Sequence, residues 1–322
     1  MPHAIRVHAT GGSEVLQWEP HDPGAPGGGE LRVRVAAAGV NFIDVYYRTG
    51  LYPMPTPYTA GVEGAGVVEA VGSGVDGVAV GDRVAWAMMP GSYAEVALVP
   101  AAFAVRVPAG IDEATATAAM LQGMTAHYLT HGVRTPQPGD VALVHAAAGG
   151  TGLLLVQMLK AAGATVIGTC STDEKAALAR EAGCDHVVRY TSEDVADAVR
   201  RITGGEGAHV VYDSVGQSTF EASLASLRVR GLLALFGQSS GPVPPVDLRR
   251  LTGGSFFVTR PSLAHYTRTR AELEERAGTV FDLVTRGRLR VRIGARLALR
   301  DAAAAHRALE SRATTGKVLL VP

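Results

Sequence analysis

Cysteine is almost missing from this chain. Among 322 residues only Cys170 and Cys184 occur, too few for a four-cysteine zinc lobe or a disulfide framework. Such usage is expected of a protein in a reducing compartment, here the cytoplasm. Net charge is missing too: 30 Lys+Arg offset 30 Asp+Glu, so no global field draws in nucleic acid or an anionic membrane. The N-terminus, MPHAIRVHATGGSE, lacks the basic start and apolar run of a secretory signal. Aromatics make up 6 % of the chain, and none interleaves with Arg286, Arg288, Arg290 and Arg292. That period-two run reads as the solvated face of a strand rather than a base-stacking surface. Disorder needs low hydrophobicity and high net charge, and 47 % of this chain is apolar. One stretch, Val141 to Leu159, lacks charge for nearly the length of a membrane span. Its middle is His145-Ala-Ala-Ala-Gly-Gly-Thr-Gly152, so a strand, a glycine turn and a buried helix are the better expectation.

Glycine is in excess. The chain holds 39, with no G-X-Y period, against a usual share of roughly 7 %. Tight turns and close backbone approaches must absorb them. Up to about residue 120, Gly and Pro punctuate short runs such as LRVRVAAAGV, GVEGAGVVEAVG and YAEVALVP. Several of these alternate with period two, as half-buried strands do. From about Gly123 to Pro261 the style changes. Strands (DVALVHAA, ATVIGTC, CDHVVRY, AHVVYDSVG, LLALFGQ) alternate with helical patterns (GGTGLLLVQMLKAAG, STDEKAALAREAG, SEDVADAVRRITG, STFEASLASLRVRG). Such alternation means βαβ units, a doubly wound parallel sheet of Rossmann type, and an α/β fold class. A helix over about Arg270–Arg286, the arginine strand, a short helix near Asp301–Glu310 and a final strand VLLVP complete the pattern. The final strand is expected to return to the first domain; a separate C-terminal subdomain is the other option.

The sharpest chemical signal is a buried strand running into a glycine turn and then a helix. Dinucleotide folds need small residues there for a tight turn, for approach to the pyrophosphate and for helix–strand packing. Aligned to G-x-G-x-x-G, the sites are Ala147, Gly149 and Gly152, with Gly150 and Thr151 opening the helix where orphan amides favour phosphate. A plain strand–turn–helix is the bland alternative. An NAD site usually carries Asp or Glu about 20 residues on. Here Cys170, Ser171 and Thr172 stand there, with Lys175 one turn later. Hydroxyls and a lysine suit a 2′-phosphate, so NADPH is the expected cofactor. Thr172 also reads as a helix cap, and Asp173 argues against NADPH unless it points away.

The segments AAGVNFIDVYYRTGLYP (37–53), GVEGAGVVEAVGSGV (61–75), HAAAGGTG (145–152), VVYDSVG (210–216), FGQSSG (236–241), VTRPSL (258–263) and LESRATTGKVLLVP (309–322) carry a resemblance. Over nearly its whole length the chain resembles the zinc-independent quinone oxidoreductases, the zeta-crystallin-like branch of the medium-chain dehydrogenase/reductases. The superfamily's catalytic zinc uses a Cys and a His where this chain has Asn41 and Val62, and amide and alkyl groups cannot replace them. The resemblance therefore implies no metal, and an acceptor that takes a hydride readily, a quinone or an activated double bond. It further implies a GroES-like, mostly β catalytic domain from residues 1–123 and 264–322, and a dinucleotide domain over 124–263.

By matching position, Asn41, Tyr46 and Tyr52 are the candidate catalytic residues, with Asn41 also at the nicotinamide and Thr125 at the hinge. Tyr190 is implied at the adenine, Gly216, Phe236, Gly237 and Ser239 at the ribose and nicotinamide, and Arg312 at the phosphates. Asp44 reads as a structural hydrogen-bonding residue, not a base. The resulting expectation is an NADPH-dependent quinone reductase. An enoyl or alkenal reductase is the first alternative, and a non-catalytic NADPH- or RNA-binding protein the second. The apolar segment 254–261, with Phe256, Phe257 and Val258 consecutive, reads as an edge strand; the resemblance implies that it pairs with its own copy in a homodimer, and a monomer in which the C-terminal helix covers it is the other option.

Overall fold

A computed structural model describes residues 1–322. The chain divides into two compact units, Met1–Met124 with Thr267–Pro322, and Thr125–Tyr266. The first segment contains strands β1 (His3–Val7), β2 (Gln17–Pro20) and β3 (Glu30–Val40), helix α1 (Phe42–Arg48), strands β4 (Tyr58–Thr59), β5 (Glu63–Val71), β6 (Arg83–Ala87), β7 (Val96–Pro100) and β8 (Val105–Arg106), and all but the last turn of helix α2 (Glu113–Tyr128). β1 lies between β2 and β4 in a small sheet. β3 is the spine of a larger one and pairs antiparallel with β5 and β7. Its LRVRV alternation sends Leu31, Val33 and Val35 inward, where they pack with Val68, Val84, Trp86 and Val99, and leaves Arg34 exposed.

The second unit follows in chain order: β9 (Val141–Val144), α3 (Gly150–Ala161), β10 (Thr165–Cys170), α4 (Asp173–Glu181), β11 (His186–Arg189), α5 (Val195–Ile202), β12 (Ala208–Asp213), α6 (Phe220–Ala225), β13 (Leu227–Leu235) and β14 (Phe257–Thr259). All six strands are parallel, in the order β11-β10-β9-β12-β13-β14. Numbered within the unit, that is 3-2-1-4-5-6, the doubly wound Rossmann order, which reverses at β9 and so places the ligand crevice at the carboxyl ends of the strands beside it. The uncharged stretch Val141–Leu159 is thus a strand, a turn and a helix, and no helix is long and apolar enough to cross a membrane.

The sequence LRVRG does not continue helix α6 as its pattern suggested. It opens β13, whose register slips against β12 between Ala208 and Val210. Arg230 takes a left-handed φ of 61° there, so Val229 and Arg230 bulge into solvent and the strand resumes as the apolar GLLAL.

The last segment returns to the first unit with α7 (Arg270–Thr285), β15 (Ile293–Ala298), α8 (Ala302–Glu310) and β16 (Lys317–Val321). Thr269 and Glu272 cap α7 reciprocally, each side chain accepting the other's N–H. β16 runs antiparallel to β3, with Val318 opposite Val40 and Leu320 opposite Ala38, and parallel to β15. The arginine run is not a strand. Arg286 caps the end of α7, bonded to Asp282 across one turn. Gly287 turns the chain at φ 66°, and extended pairing begins only at Ile293. The four arginines therefore share no strand face, because the helix keeps the first and a turn takes the second.

Two glycines test this packing in opposite directions. A Cβ on Gly66 in β5 would lie 2.1 Å from the Arg34 carbonyl oxygen of β3, so Gly66→Ala should cost about 1–3 kcal/mol. Gly278, exposed within α7, has nothing within 4 Å of its Cβ direction, and Gly278→Ala should stabilise by about 0.5–1 kcal/mol. Thermal and denaturant unfolding of the two variants check both signs.

Candidate active site

The glycine turn follows β9. Gly149 stands in the cap position before α3 with extended backbone and no side-chain cap, so the first amides of the helix, at Gly150 and Thr151, stay open to an anion. The left-handed residue of the turn is Ala146, at φ 51°, and not the fingerprint's first position. Alanine at Ala147 is therefore unstrained, and it is fully buried. Gly152 supplies the close packing: its Cβ would lie 2.3 Å from the Ala146 carbonyl oxygen and 2.9 Å from Ala147 Cα. Sequence reasoning missed the partner of this arrangement. Gly168 in β10 leaves room for Ala147, whose Cβ would be 2.8 Å from any Cβ added there.

At the end of β10, Thr172 caps α4, its hydroxyl accepting the Lys175 N–H at 3.3 Å. Asp173 is engaged by Arg189 at 3.0 Å, so the acid that argued against a 2′-phosphate is paired with a cation. Ser171 is tied to the next loop, its carbonyl accepting from the Thr191 hydroxyl. Burial pushes the Cys170 thiol up, while Arg180, Lys175 and Arg189 all pull against it; three cations thus act on the strand end where a nucleotide ribose is expected. Arg189 was not among the expected residues, although a basic residue closing the third strand was the available signal. Tyr190 follows it and is 40 % exposed.

At the ends of β12 and β13, Asp213 organises the loop. Its Oδ1 accepts from the N–H groups of Val215 (2.8 Å) and Gly216 (3.0 Å), and its Oδ2 from the Ser223 hydroxyl at 2.7 Å. Gly216 sits at φ 88° with Gln238 Cα 2.9 Å from its Cβ direction, and Gly237 has the Ser214 carbonyl oxygen at 2.5 Å. Phe236 and Ser239 donate their N–H groups to Asp213 and Ser214. The structure therefore brings Gly216, Phe236, Gly237 and Ser239 together. Ser223 also meets His145 Nε2 at 2.9 Å, and His145 Nδ1 meets the Thr169 hydroxyl at 3.1 Å. This is not a hydrolytic triad. The one serine proton goes to Asp213, so His145 must donate to the serine oxygen, and burial holds the imidazole below its usual pKa.

In the first unit, Asn41 precedes α1 and is buried, with Asp44 Oδ2 accepting its N–H at 2.8 Å. The same oxygen accepts the Tyr93 hydroxyl at 3.0 Å, and His306 Nε2 lies 3.2 Å from that hydroxyl. Arg48 donates to His306 Nδ1 and grips Glu310 with both terminal nitrogens. Tyr46, on α1, meets Tyr52 edge-on at 5.2 Å between ring centres, and the Tyr52 N–H bonds to the Tyr46 carbonyl. Asn41, Tyr46 and Tyr52 thus share the neighbourhood of α1. Thr125, the first residue of the second unit, lies in α2 and is buried; Arg312, of the first unit, follows α8 in a left-handed conformation at φ 58°. No three His, Cys, Asp or Glu side chains group as a metal centre would need. Next to Asn41 stands instead the ammonium of Lys317, 2.8 Å from Oδ1.

The alcohol dehydrogenase GroES-like domain model matches residues 27–109, and the zinc-binding dehydrogenase model matches residues 150–282. The chain is 47 % identical to a quinone oxidoreductase of Pseudomonas aeruginosa, covering 100 % of both. It is 43 % identical to a 2-haloacrylate reductase of a Burkholderia species, over 100 % of this chain and 99 % of that one. A crystal structure of Escherichia coli quinone oxidoreductase complexed with NADPH matches 99 % of this chain and all of its own, at 44 % identity and a TM-score of 0.97. The chain belongs to the quinone oxidoreductases of the medium-chain dehydrogenase/reductase superfamily. At the two positions where the resemblance led zinc ligands to be sought, the chain carries Asn41 and Val62, and the Lys317 ammonium stands beside Asn41.

Asp44 gives the cluster a pH signature. Burial pushes its carboxyl up to about 7, against the hydrogen bonds from Asn41 and Tyr93 and the charge of Lys317; its Oδ1 has no partner. An unfolded Asp titrates near about 3.9, so between about pH 4 and 7 the folded chain holds the extra proton and stability falls as pH rises. His306, lowered to about 3 by burial and by Arg48, works the other way up to its unfolded pKa. In Asp44→Asn only the first contribution is lost, and an amide NH₂ fits the place of the unpartnered Oδ1. The Tm of the variant minus that of the parent should therefore climb between pH 5 and pH 8, as read by thermal unfolding in matched buffers.

Proposed function

We propose that this protein is an NADPH-dependent quinone reductase that works without a metal. The observation that carries this reading is full-length identity of 45–47 % to quinone oxidoreductases from three bacteria, joined to a cofactor cradle that fits NADPH. Gly152 leaves no room for a side chain over the glycine turn, and the open amides at Gly150 and Thr151 suit a pyrophosphate. Lys175 and Arg189 suit a 2′-phosphate, and Asp173 is already paired with Arg189. Tyr190 offers an exposed ring for the adenine, while Gly216, Phe236, Gly237 and Ser239 line the strand ends where the ribose and nicotinamide belong. When bound, NADPH supplies the hydride. The protein binds and orients: Asn41, Tyr46 and Tyr52 are assigned to the acceptor, with a tyrosine hydroxyl or water delivering protons. Metal-free chemistry restricts the acceptor to one that accepts hydride without Lewis-acid polarisation.

A second reading, reduction of an activated double bond, is favoured by the 43 % identity to the 2-haloacrylate reductase. NADPH oxidation measured with a panel of quinones and with 2-haloacrylates decides between them; turnover of haloacrylate alone would replace the first reading by the second. Lys175→Ala should weaken NADPH roughly 10-fold or more while leaving NADH affinity unchanged, as befits loss of a hydrogen bond to a charged group. Equal weakening of both, in fluorescence titrations at fixed salt, would remove Lys175 from the 2′-phosphate.

We propose further that two copies join through β14. It is the edge of the parallel sheet, and Phe257 and Val258 are 61 % and 41 % exposed. Phe256, by contrast, packs on the core of its own unit, so only its two successors are offered to a partner. Phe257→Asp should leave the fold intact and reduce the mass seen by light scattering from two chains to one. A parent protein that is already monomeric at micromolar concentration would remove the proposal.

A further inference from the structure

We propose that Glu63 and Lys317 are positioning residues, which act on the reaction through Asn41 by locking its amide in one orientation at the head of α1. The inference rests on the quinone-reductase reading. Glu63 and Lys317 are 0 % and 1 % exposed, and the ammonium bonds directly to Glu63 Oε2. Burying both charges is costly, and well-packed apolar residues often replace such a pair at no loss of stability. The contacts of the pair show what it does instead.

Lysine can only donate and a carbonyl can only accept. Lys317 faces Asn41 Oδ1 at 2.8 Å, while Asn41 Nδ2 donates to Glu63 Oε2 at 2.8 Å and to the Gly39 carbonyl at 3.2 Å. A flipped amide would set NH₂ against the ammonium and oxygen against both a carboxylate and a carbonyl. Only one orientation is compatible with the pair. Gln122 Nε2 adds a second donor to Oδ1 at 3.4 Å, so both protons and both acceptor positions of the Asn41 amide are taken. Asn41 therefore meets the acceptor as a fixed wedge, by contact and not by a hydrogen bond.

The wedge ties together the elements that matter. Glu63 begins β5 and Lys317 begins β16. Glu63 Oε1 also accepts the Leu121 N–H of α2 at 2.6 Å. The Asn41 N–H is held by Asp44, so the start of α1, and with it Tyr46 and Tyr52, is referred to β5, β16 and α2 at once. Gly39 is an independent sign that the space belongs to the pair. A Cβ there would lie 2.1 Å from Glu63 Oε2 and 2.6 Å from Lys317 Cε.

The test is a double-mutant cycle on the full-length protein. Lys317→Met alone leaves a buried unpaired carboxylate and can fail to fold, so the main variant is the charge-neutral Glu63→Gln/Lys317→Met. Glu63→Gln alone serves as the second variant and is judged by the same criterion. Each is made with Asn41 present and with Asn41→Ala. Saturating NADPH is used to obtain kcat and KM for the acceptor, and NADPH fluorescence to obtain Kd. With Asn41 present, kcat should fall about 10- to 100-fold, as small misplacements do, while the Kd for NADPH stays within about twofold. With Asn41→Ala, no further fall in kcat should follow. An equal fall in both backgrounds, or an unchanged kcat in folded variants, would overturn the proposal. The parent protein is assayed first. If it reduces 2-haloacrylate but not quinones, the quinone reading fails and the cycle runs on that acceptor; if it turns over neither, both inferences fall.

Discussion

Val318, Leu319 and Leu320 pair with Val40, Gly39 and Ala38, and through that ladder the end of the chain becomes part of the sheet its beginning started. Much of the first unit follows from this. The strand that closes the sheet also delivers Lys317 against Asn41 and Glu63, at the point where β3 gives way to α1. α8, immediately upstream, packs Ala302 and Ala305 onto Ile5, Val40 and Leu320, and carries His306 to Tyr93. Packing and polar chemistry are thereby fixed by the same pairing. A change that loosened β16 would disturb the apolar core and the Asn41 amide together.

The two units hold their polar groups differently. In the second, Asp213 spends its oxygens on loop amides and hydroxyls, so a buried charge is spread over neutral donors and shapes backbone. In the first, Asp44 has one oxygen left over and Glu63 needs an ammonium. Around Asp213 the result is a loop held in place by neutral donors. Around Asp44 it is a titratable carboxyl bonded to the Tyr93 hydroxyl.

The parallel sheet was legible in the sequence because its signals are local: buried apolar strands, helices with caps, and a glycine turn joining them. The final strand VLLVP could be expected to return, since a buried apolar run needs a sheet to join. Two elements misled. LRVRG has the look of a helix end, and only pairing with β12 makes it a bulged strand. The arginines at 286–292 have strand periodicity, but α7 runs to Thr285 and Gly287 turns the chain before any ladder forms. At the site, residues with small or hydroxyl side chains on a recognisable turn could be named in advance. Arg189, a basic residue closing a strand, was within reach of the same reading; Gly168, Glu63 and Lys317 were not, because their significance lies in a neighbour far away in sequence: Ala147 and the Asn41 amide. Nothing in the local pattern around Lys317 announces that its ammonium is buried.

The closing strand also sets an order of events during synthesis. Domains usually fold as they emerge, N-terminal first. Here the second unit is one continuous stretch, Thr125–Tyr266, and can be completed while the ribosome is still translating. The first unit cannot, because the partner of Val40 and Ala38 lies beyond the whole of the second unit in the chain. The part begun first is thus finished after the part begun second, and β3 must wait with that stretch of its edge open until β16 has been made.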